Sequence, residues 1–343
     1  MRMALTVRHH AGEYQVAWGQ WADVASSLPE KAILITDSNV ERLLPENLQA
    51  LPRLTFPAGE ASKIWVMAGQ LHEQLAQLGA LRSHTLVAVG GGVTGDLAGF
   101  VAASYMRGIP LVQVPTSLLA MVDSSVGGKV GVDLAAGKNL AGAFWPPQSV
   151  IVPFDALTTL PERELRAGMA EVIKAAWIAS PELIETLRTP VLNAQDPRLP
   201  EIIQSSIAIK AQVVEADEFE RLGIRATLNF GHTIGHALEA VTNYAEYVHG
   251  EAVSIGMVAE AQLSARLGLI TPNAVDDLRT MCHAHGLPTA LPAGLSLEDL
   301  LPFMRKDKKA EGTHLALALL HGYGACKLHT DVAADDVRKA LQP

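Results

Sequence analysis

The chain has 343 residues, more than a single hydrophobic core usually supports, so we expect two domains. Hydrophobic residues make up 49% of the sequence and charged residues 18%, a balance that excludes pervasive disorder. The formal net charge of −9 argues against nucleic acid as the main partner. Since the sequence shows neither a bilayer-spanning apolar run nor a secretory signal, we expect no membrane contact and a cytoplasmic location.

Five short apolar runs in the first part of the chain alternate with helical patterns. They span residues 32–37, 54–60, 86–92, 110–116 and 149–153. This alternation is typical of βαβ units in a mostly parallel sheet covered by helices. Several runs end in Asp, Gly or Thr just before a helix, and ligands of open α/β sheets bind at these carboxyl ends. We therefore predict an α/β domain over residues 1–155.

From about Thr158 the pattern changes to long helical periodicity. The helical segments include ERELRAGMAEVIKAAWIA, IIQSSIAIKAQVVEAD, HTIGHALEAV and EAVSIGMVAEAQLSARLG. Near the end, two strand-like runs flank Gly322-Tyr323-Gly324 and predict a hairpin. We therefore predict a second, mainly helical domain over residues 156–343.

The segment GGGVTGD, residues 90–96, follows a predicted strand and begins a helical pattern. The free amides of such a helix start can bind a phosphate, although the same segment can also be a tight turn without a ligand. It matches neither G-x-G-x-x-G nor a Walker loop. Glu60 and Lys63 lie where a strand meets its helix and could bind a ribose and a phosphate, or could be a capping carboxylate and a surface lysine.

Two further lysines lie in glycine-rich segments that we expect to be flexible. Lys129 follows Gly127-Gly128, and Lys138 follows Gly137. They could bind phosphates or carboxylates, or be solvated loop residues. Asp123 could balance their charge or take part in proton transfer.

Acidic and imidazole side chains with metal-ligand spacing lie in the helical domain. Glu171 and Lys174 are three residues apart on an apolar helix and form either an intrahelical ion pair or part of a site. His232 and His236 are four apart on one helical face, and His249 begins another helix. Two histidines with a carboxylate form many catalytic zinc sites, so a divalent-metal site is expected here, with His236 as a competing ligand. Only two cysteines are present, far apart, so thiolate ligation is not indicated.

Six ordered segments together resemble the 3-dehydroquinate synthase family, which belongs to the sugar phosphate cyclases. They are GGGVTGDLAGFVAASYMRG, PTSLLAMVDSSVGGKVGVD, GKNLAGAFWPP, TLPERELRAGMAEVIK, LNFGHTIGHALE and HGEAVSIGM. The resemblance extends over about residues 30–325. It implies an α/β fold with a Rossmann-like N-terminal domain, a mainly α-helical C-terminal domain and an active site in the cleft between them.

The resemblance also implies the reaction and the cofactors. The substrate would be a phosphorylated sugar acid, 3-deoxy-D-arabino-heptulosonate 7-phosphate, which is converted to 3-dehydroquinate and phosphate in the shikimate pathway. NAD would be oxidant and reductant in turn, so no net redox change occurs. A homodimer is implied as well. The implied metal ligands, for zinc or cobalt, are Glu171, His232 and His249.

Two further residue sets follow from the resemblance. The NAD site would comprise Asp37, Glu60, Lys63, Gly91, Gly92, Asp96, Thr116, Ser117, Lys129, Lys138 and Thr159. The substrate and catalytic set would comprise Arg107, Asp123, Lys129, Lys138, Asn139, Lys174, Lys210, Arg225, Asn229, His236 and Lys308, with Lys309 as the alternative to Lys308. Ser117 stands where many members have threonine, and the hydroxyl is kept.

Three other functions compete with this interpretation. Another sugar phosphate cyclase would share the metal and NAD sites, but the joint presence of Lys210, Arg225 and Asn229 favours a substrate with a carboxylate. A metal- and NAD-dependent polyol dehydrogenase would not need so many cations. A non-catalytic binding protein would not need to retain the metal set.

Overall fold

The computed structural model describes residues 2–307 and 314–341. The chain divides into two compact units, Met1–Leu160 and Pro161–Pro343. Within the described ranges no helix is long and apolar enough to cross a bilayer.

The first unit is built on a seven-stranded sheet. Its elements, in chain order, are β1 (Arg2–His9), β2 (Gly12–Gly19), β3 (Ala32–Asp37), α1 (Glu46–Gln49), β4 (Arg53–Phe56), α2 (Trp65–Gln77), β5 (Thr85–Gly90), α3 (Gly92–Ser104), β6 (Leu111–Pro115), β7 (Lys129–Leu134), β8 (Gly137–Phe144) and β9 (Ser149–Pro153). The strand order is β1-β2-β9-β6-β5-β3-β4, and all pairs are parallel except β1 with β2. Strands β7 and β8 form a separate antiparallel hairpin.

The parallel strands form because their apolar runs are buried on both faces of the sheet. All six residues of β5 are buried, as are all five of β6. One core cluster lies between the sheet and helices α2 and α3, and a second includes Val24, Leu44 and Leu48. Runs of this kind, rich in Val, Ile and Leu, are expected for a parallel sheet covered by helices. The five predicted strands are thus confirmed, and with them the α/β fold class.

The strand order fixes where a ligand can bind in this unit. The chain passes from β3 to its neighbour β4 and then returns across β3 to β5, so the order reverses between β3 and β5. The carboxyl ends of strands at such a reversal form the crevice in which doubly wound sheets bind ligands. Asp37 ends β3 and Gly90 ends β5, so both lie at this point.

The second unit is mainly helical. Its elements are α4 (Glu162–Ala179), α5 (Pro181–Leu187), α6 (Leu199–Ala216), α7 (His232–Val241), α8 (His249–Arg266), α9 (Pro272–Ala284), α10 (Leu297–Asp307), β10 (His314–Gly322), β11 (Ala325–Ala333) and α11 (Ala334–Leu341). Strands β10 and β11 pair antiparallel around Tyr323-Gly324, which confirms the predicted hairpin. Helix α8 is central, because thirteen of its eighteen residues are buried and α4, α7, α9 and β10 all pack on it.

Candidate functional site

The glycine-rich turn of the first unit connects β5 to the first turn of α3. Strand β5 ends at Gly90, and α3 begins at Gly92. The Thr94 hydroxyl donates to Asp37 Oδ2 at 3.0 Å and so links the end of β3 to this helix start. The other carboxylate oxygen of Asp37 accepts the N–H groups of Asn39 and Val40 at 2.9 and 3.1 Å. A helix N-terminus beside a fixed carboxylate at the strand reversal suits a nucleotide that carries both phosphate and ribose.

Thr116 and Ser117 follow β6 on the other side of the glycine-rich turn. The Thr116 N–H donates to the carbonyl of Gly90 at 2.9 Å. A methyl group placed on Gly91 would lie 3.4 Å from Ser117 Oγ. The Ser117 hydroxyl therefore borders the glycine-rich turn.

Lys63 and Asp96 form a buried ion pair near the same helix start. Their Nζ and Oδ2 atoms are 2.6 Å apart, and the Lys63 side chain is only 6% exposed. Burial lowers the pKa of Lys63, but Asp96 and Glu60 raise it more, so its net shift is upward. Lys138 Nζ lies 3.4 Å from Glu60 Oε1. The predicted NAD-site residues thus form two ion pairs, Lys63 with Asp96 and Lys138 with Glu60.

The prediction that Lys129 and Lys138 lie in flexible backbone is wrong. Lys129 begins β7, and Lys138 is the second residue of β8. The glycines of this segment are needed because the two strands approach closely: a methyl group on Gly142 would lie 2.4 Å from the carbonyl oxygen of Val130. Asn139 is fixed here as well, since its N–H donates to Asp133 at 2.7 Å.

Three other predicted residues of the first unit lie outside both the glycine-rich turn and the β7–β8 hairpin. Arg107 lies at the far end of α3, so the thirteen-residue helix separates it from Gly92 by about 20 Å. Its backbone is left-handed, with φ +66°, directly after Met106 at +51°. Asp123 lies in a π-helical turn after β6, and Thr159 is exposed at the end of a 3-10 segment.

The predicted metal ligands converge within the second unit, each from a different helix. Glu171 comes from α4, His232 from α7 and His249 from α8. Glu171 Oε1 is 3.6 Å from His232 Nε2 and 3.5 Å from His249 Nε2. These distances are too long for hydrogen bonds, and Oε1 has no hydrogen-bond partner among the described residues, whereas Oε2 forms an ion pair with Lys174 Nζ. Two ligand atoms around a tetrahedral metal, bonded at 2.0–2.1 Å, would be about 3.4 Å apart.

The outer nitrogens of the two imidazoles support a metal-binding role. His232 Nδ1 lies 3.2 Å from the carbonyl oxygen of Phe230, and His249 Nδ1 lies 3.4 Å from Glu239 Oε2. An acceptor at Nδ1 holds the proton there and leaves the lone pair of Nε2 for a cation, which is the usual arrangement of metal-binding histidines. The donor set fits zinc or cobalt.

His236 lies beside the same cluster. Its ring centroid is 5.2 Å from that of His232 and 5.8 Å from that of His249. Nitrogens of all three histidines lie within 4.8 Å of one another, so proximity alone does not separate a ligand from a substrate-binding histidine.

Close helix packing brings together the three helices that carry Glu171, His232 and His249. A methyl group on Gly250 of α8 would lie 1.9 Å from the carbonyl oxygen of Ala167 in α4. A methyl group on Gly256, two turns further along α8, would lie 1.9 Å from the carbonyl oxygen of Gly231, the residue before α7. Only glycine fits at either contact, so these two residues set the separations of α8 from α4 and from α7.

The electrostatics of the cluster keep Glu171 ionised and His232 neutral. Burial raises the pKa of Glu171, but the ion pair with Lys174 and the two imidazoles hold it well below its ordinary value. Burial and the Lys174 charge lower the pKa of His232 to about 3. An anionic oxygen and a neutral imidazole are the protonation states that a divalent metal requires. His249 keeps 31% of its side chain exposed, so the cluster is open to a ligand.

Predicted substrate residues of this unit lie on elements that pack against α4. Lys210 is buried on α6, and Arg225 and Asn229 lie in a 3-10 segment that packs on α4 and α6. The buried carboxylate of Asp217 accepts the N–H groups of Arg221, Leu222 and Arg225 at 2.7, 3.1 and 3.1 Å and so fixes the connecting loop. Lys308 and its alternative Lys309 lie outside the described residues.

Two buried acids near the cluster were missed by sequence reasoning. Glu239 contacts His249, and Glu260 Oε2 accepts the N–H of Gly231 at 2.7 Å at the start of α7. A signal existed for each. Glu239 continues the His232, His236 stripe at the i+7 position, and Glu260 interrupts an apolar helical run in which a charge needs a partner.

The doubly wound sheet and the carboxylate–imidazole cluster define an α/β enzyme with a helical second unit. Comparison with known sequences identifies the family within this class. A family model for the 3-dehydroquinate synthase N-terminal region matches residues 53–167, and one for the C-terminal region matches residues 168–310. The chain belongs to the 3-dehydroquinate synthase family.

Individual relatives agree with the family models. A 3-dehydroquinate synthase of Acidithiobacillus ferrooxidans is 47% identical over 320 residues, which cover 90% of this chain and 87% of the relative. One from Symbiobacterium thermophilum is 45% identical over 333 residues, with 93% and 92% covered. A crystal structure of 2-deoxy-scyllo-inosose synthase with carbaglucose-6-phosphate, NAD⁺ and Co²⁺ is 28% identical, with a TM-score of 0.87 and 98% of each chain covered.

Proposed function

We propose that this chain converts 3-deoxy-D-arabino-heptulosonate 7-phosphate to 3-dehydroquinate and phosphate, with NAD and one divalent metal ion, zinc or cobalt, as cofactors. The single observation that carries the proposal is the convergence of Glu171 Oε1 with two Nε2 atoms at 3.5 and 3.6 Å. Family membership supplies the reaction, and a related cyclase has been solved with NAD⁺ and Co²⁺.

The chain offers separate groups for the two cofactors. Glu171, His232 and His249 would hold the metal, while the Gly91-Gly92 turn and Asp37 would bind NAD. When bound, the metal stabilises negative charge on a substrate oxygen, and NAD accepts a hydride and later returns it.

The cations of the second unit suit a doubly anionic substrate. Lys174, Lys210 and Arg225 are each less than 9% exposed, in a protein of net charge −9. Burying cations is costly, and a substrate with a carboxylate and a phosphate makes the arrangement favourable. We assign Lys210 and Arg225 to substrate anions. Lys174 also keeps Glu171 ionised, because its ammonium pairs with that carboxylate.

The remaining predicted residues enter the proposal with narrower roles. His236, whose ring borders both ligand imidazoles, would contact the substrate hydroxyls next to the metal. Asn229 would add a neutral hydrogen-bonding group from the Arg225 segment. The remaining substrate contacts, in the first unit and at Lys308 outside the described residues, rest on the family resemblance; these residues are Arg107, Asp123, Lys129, Lys138, Asn139 and Lys308.

Two further attributes stay predictions from the sequence. A homodimer is expected, and light scattering on the purified protein at micromolar concentration would give its mass directly. The cytoplasmic location also stays a prediction.

A phosphate-release assay tests the proposed reaction. Metal-depleted protein receives the heptulosonate phosphate, NAD⁺ and either Zn²⁺ or Co²⁺, and phosphate and 3-dehydroquinate should form in equal amounts without NADH accumulation. Steady NADH formation on a polyol would instead identify a dehydrogenase. Turnover only with phosphorylated sugars that lack a carboxylate would identify another cyclase. Substrate binding without phosphate release would identify a non-catalytic protein.

A further inference from the structure

Glu239 is a buried acid that none of the proposed roles uses. It lies on α7, seven residues after His232, and is 3% exposed. Its Oε2 atom is 3.4 Å from His249 Nδ1. The imidazole of His249 thus lies between two carboxylates, Glu239 at Nδ1 and Glu171 at Nε2.

Glu171 and Glu239 cannot bind the same metal ion in this arrangement. The two nitrogens of an imidazole point away from each other, so a group at Nδ1 is directed away from whatever Nε2 binds. Glu171 Oε1 shares the Nε2 side with His232 Nε2, while Glu239 is on the opposite edge of the ring. Glu239 therefore acts on the cluster through His249.

A neutral imidazole carries one N–H, and the acceptor next to the ring decides which nitrogen has it. For His232 the acceptor is a backbone carbonyl, that of Phe230, at 3.2 Å. For His249 it is the side chain of Glu239. The orientation of His249 therefore depends on a side chain that mutation can remove, whereas that of His232 does not.

The position of Glu239 is itself fixed by the end of α7. The N–H of Tyr244 donates to the Glu239 carbonyl at 2.7 Å, and the hydroxyl of Thr242 lies 3.3 Å from the same oxygen. With the backbone held and the side chain buried, the carboxylate is positioned to accept a hydrogen bond from the His249 Nδ1–H group.

We propose that Glu239 is a positioning residue that holds His249 in the tautomer and ring orientation in which Nε2 faces a divalent metal ion. The inference rests on the proposed function, because it takes Glu171, His232 and His249 as the ligands. Outer carboxylates of this kind typically change metal affinity 10- to 100-fold when they are removed.

The test compares Glu239→Gln, Glu239→Leu and the control Glu246→Gln. Glutamine keeps the shape and a neutral acceptor, and leucine removes the acceptor. Glu246 is an exposed residue of the connection between α7 and α8. Zinc dissociation constants come from chelator competition, and Co²⁺ absorption spectra report ligand geometry. We expect zinc binding about tenfold weaker for Glu239→Gln, about 100-fold weaker for Glu239→Leu, shifted Co²⁺ bands for both, and wild-type values for Glu246→Gln.

Melting of the metal-free proteins separates positioning from general stability. Wild-type zinc affinity and Co²⁺ bands in Glu239→Gln would overturn the inference, whether or not its melting temperature falls, and would give Glu239 a structural role only. If Glu239→Leu fails to fold, Glu239→Gln decides alone. A wild-type protein that binds neither ion would refute the proposed metal site itself, a result distinct from equal binding by wild type and variant.

Discussion

Gly256→Ala should destabilise the second unit even though alanine favours a helix. The added methyl carbon would lie 1.9 Å from the carbonyl oxygen of Gly231 and 2.8 Å from the carbonyl carbon of the same residue. It would also lie 3.0 Å from the backbone nitrogen of Gly235. All three atoms belong to backbone, so no side chain can rotate away. Since close carbon–oxygen contacts are about 3.3 Å, α7 and α8 would have to separate by about 1.4 Å.

Two opposing energies decide the outcome. Replacing glycine by alanine inside a helix contributes about 1 kcal/mol of stability. Overpacking costs about 1–3 kcal/mol, and a clash with backbone belongs at the upper end or beyond. We expect a net loss of about 2 kcal/mol, which lowers the melting temperature of a unit of this size by about 4–8 °C. Metal–ligand distances tolerate about 0.2 Å, so zinc affinity should fall at least tenfold.

Thermal melting of the metal-free protein and chelator competition measure the two effects. Gly69→Ala is the matched control, because Gly69 is an exposed helical residue of α2 whose added methyl would have no neighbour within 4 Å. That substitution should leave zinc binding unchanged and stabilise the protein by up to about 1 kcal/mol. If Gly256→Ala behaved like Gly69→Ala in both assays, the close contact of α7 and α8 could not be what sets the ligand geometry.

Three other predictions concern the ligands and the substrate. His249→Ala should abolish turnover and lower zinc occupancy, and full activity in metal-depleted buffer would contradict the assignment. Lys210→Ala should raise the KM for substrate at least tenfold and leave NAD affinity, measured by calorimetry, within twofold; an equal loss of both would count against its role. Burial lowers the pKa of His249, but Glu171 and Glu239 raise it to about 10, so zinc must displace a proton. Apparent zinc affinity should therefore rise about tenfold per pH unit from pH 7 to 9, and a flat profile would refute this.

The sheet of the first unit was largely predictable because each parallel strand is a local apolar run. The five predicted runs, which begin at 32, 54, 86, 110 and 149, all contain strands. The pairing of β2 with β9 was not predictable, since Val16 and Val150 are neighbours only after the whole unit has folded. Local patterns carry no information on such long-range register.

The β7–β8 hairpin shows how composition can mislead. Glycines around Lys129 and Lys138 suggested mobile loops, because glycine is common where the backbone is free. In the structure Gly131 and Gly142 are required by close approach: a methyl group on Gly131 would lie 2.8 Å from the Ala141 carbonyl oxygen. Flexibility and close packing favour the same residue for opposite reasons, and only neighbours in space distinguish them.

The residue types of the carboxylate–imidazole cluster were visible in the sequence, but the groups that support the cluster were not. The four-residue spacing of His232 and His236 is a property of one helix, so sequence reveals it. Glu239 lies three residues further along the same stripe, but its role depends on contact with His249, which lies on another helix. The position of the helix that carries His249 depends in turn on Gly256 and Gly250, where any side chain would clash with neighbouring backbone. The sequence therefore revealed the side chains with reactive groups. It did not reveal Glu239, Gly250 and Gly256, because their importance depends on contacts between helices that are distant in the sequence.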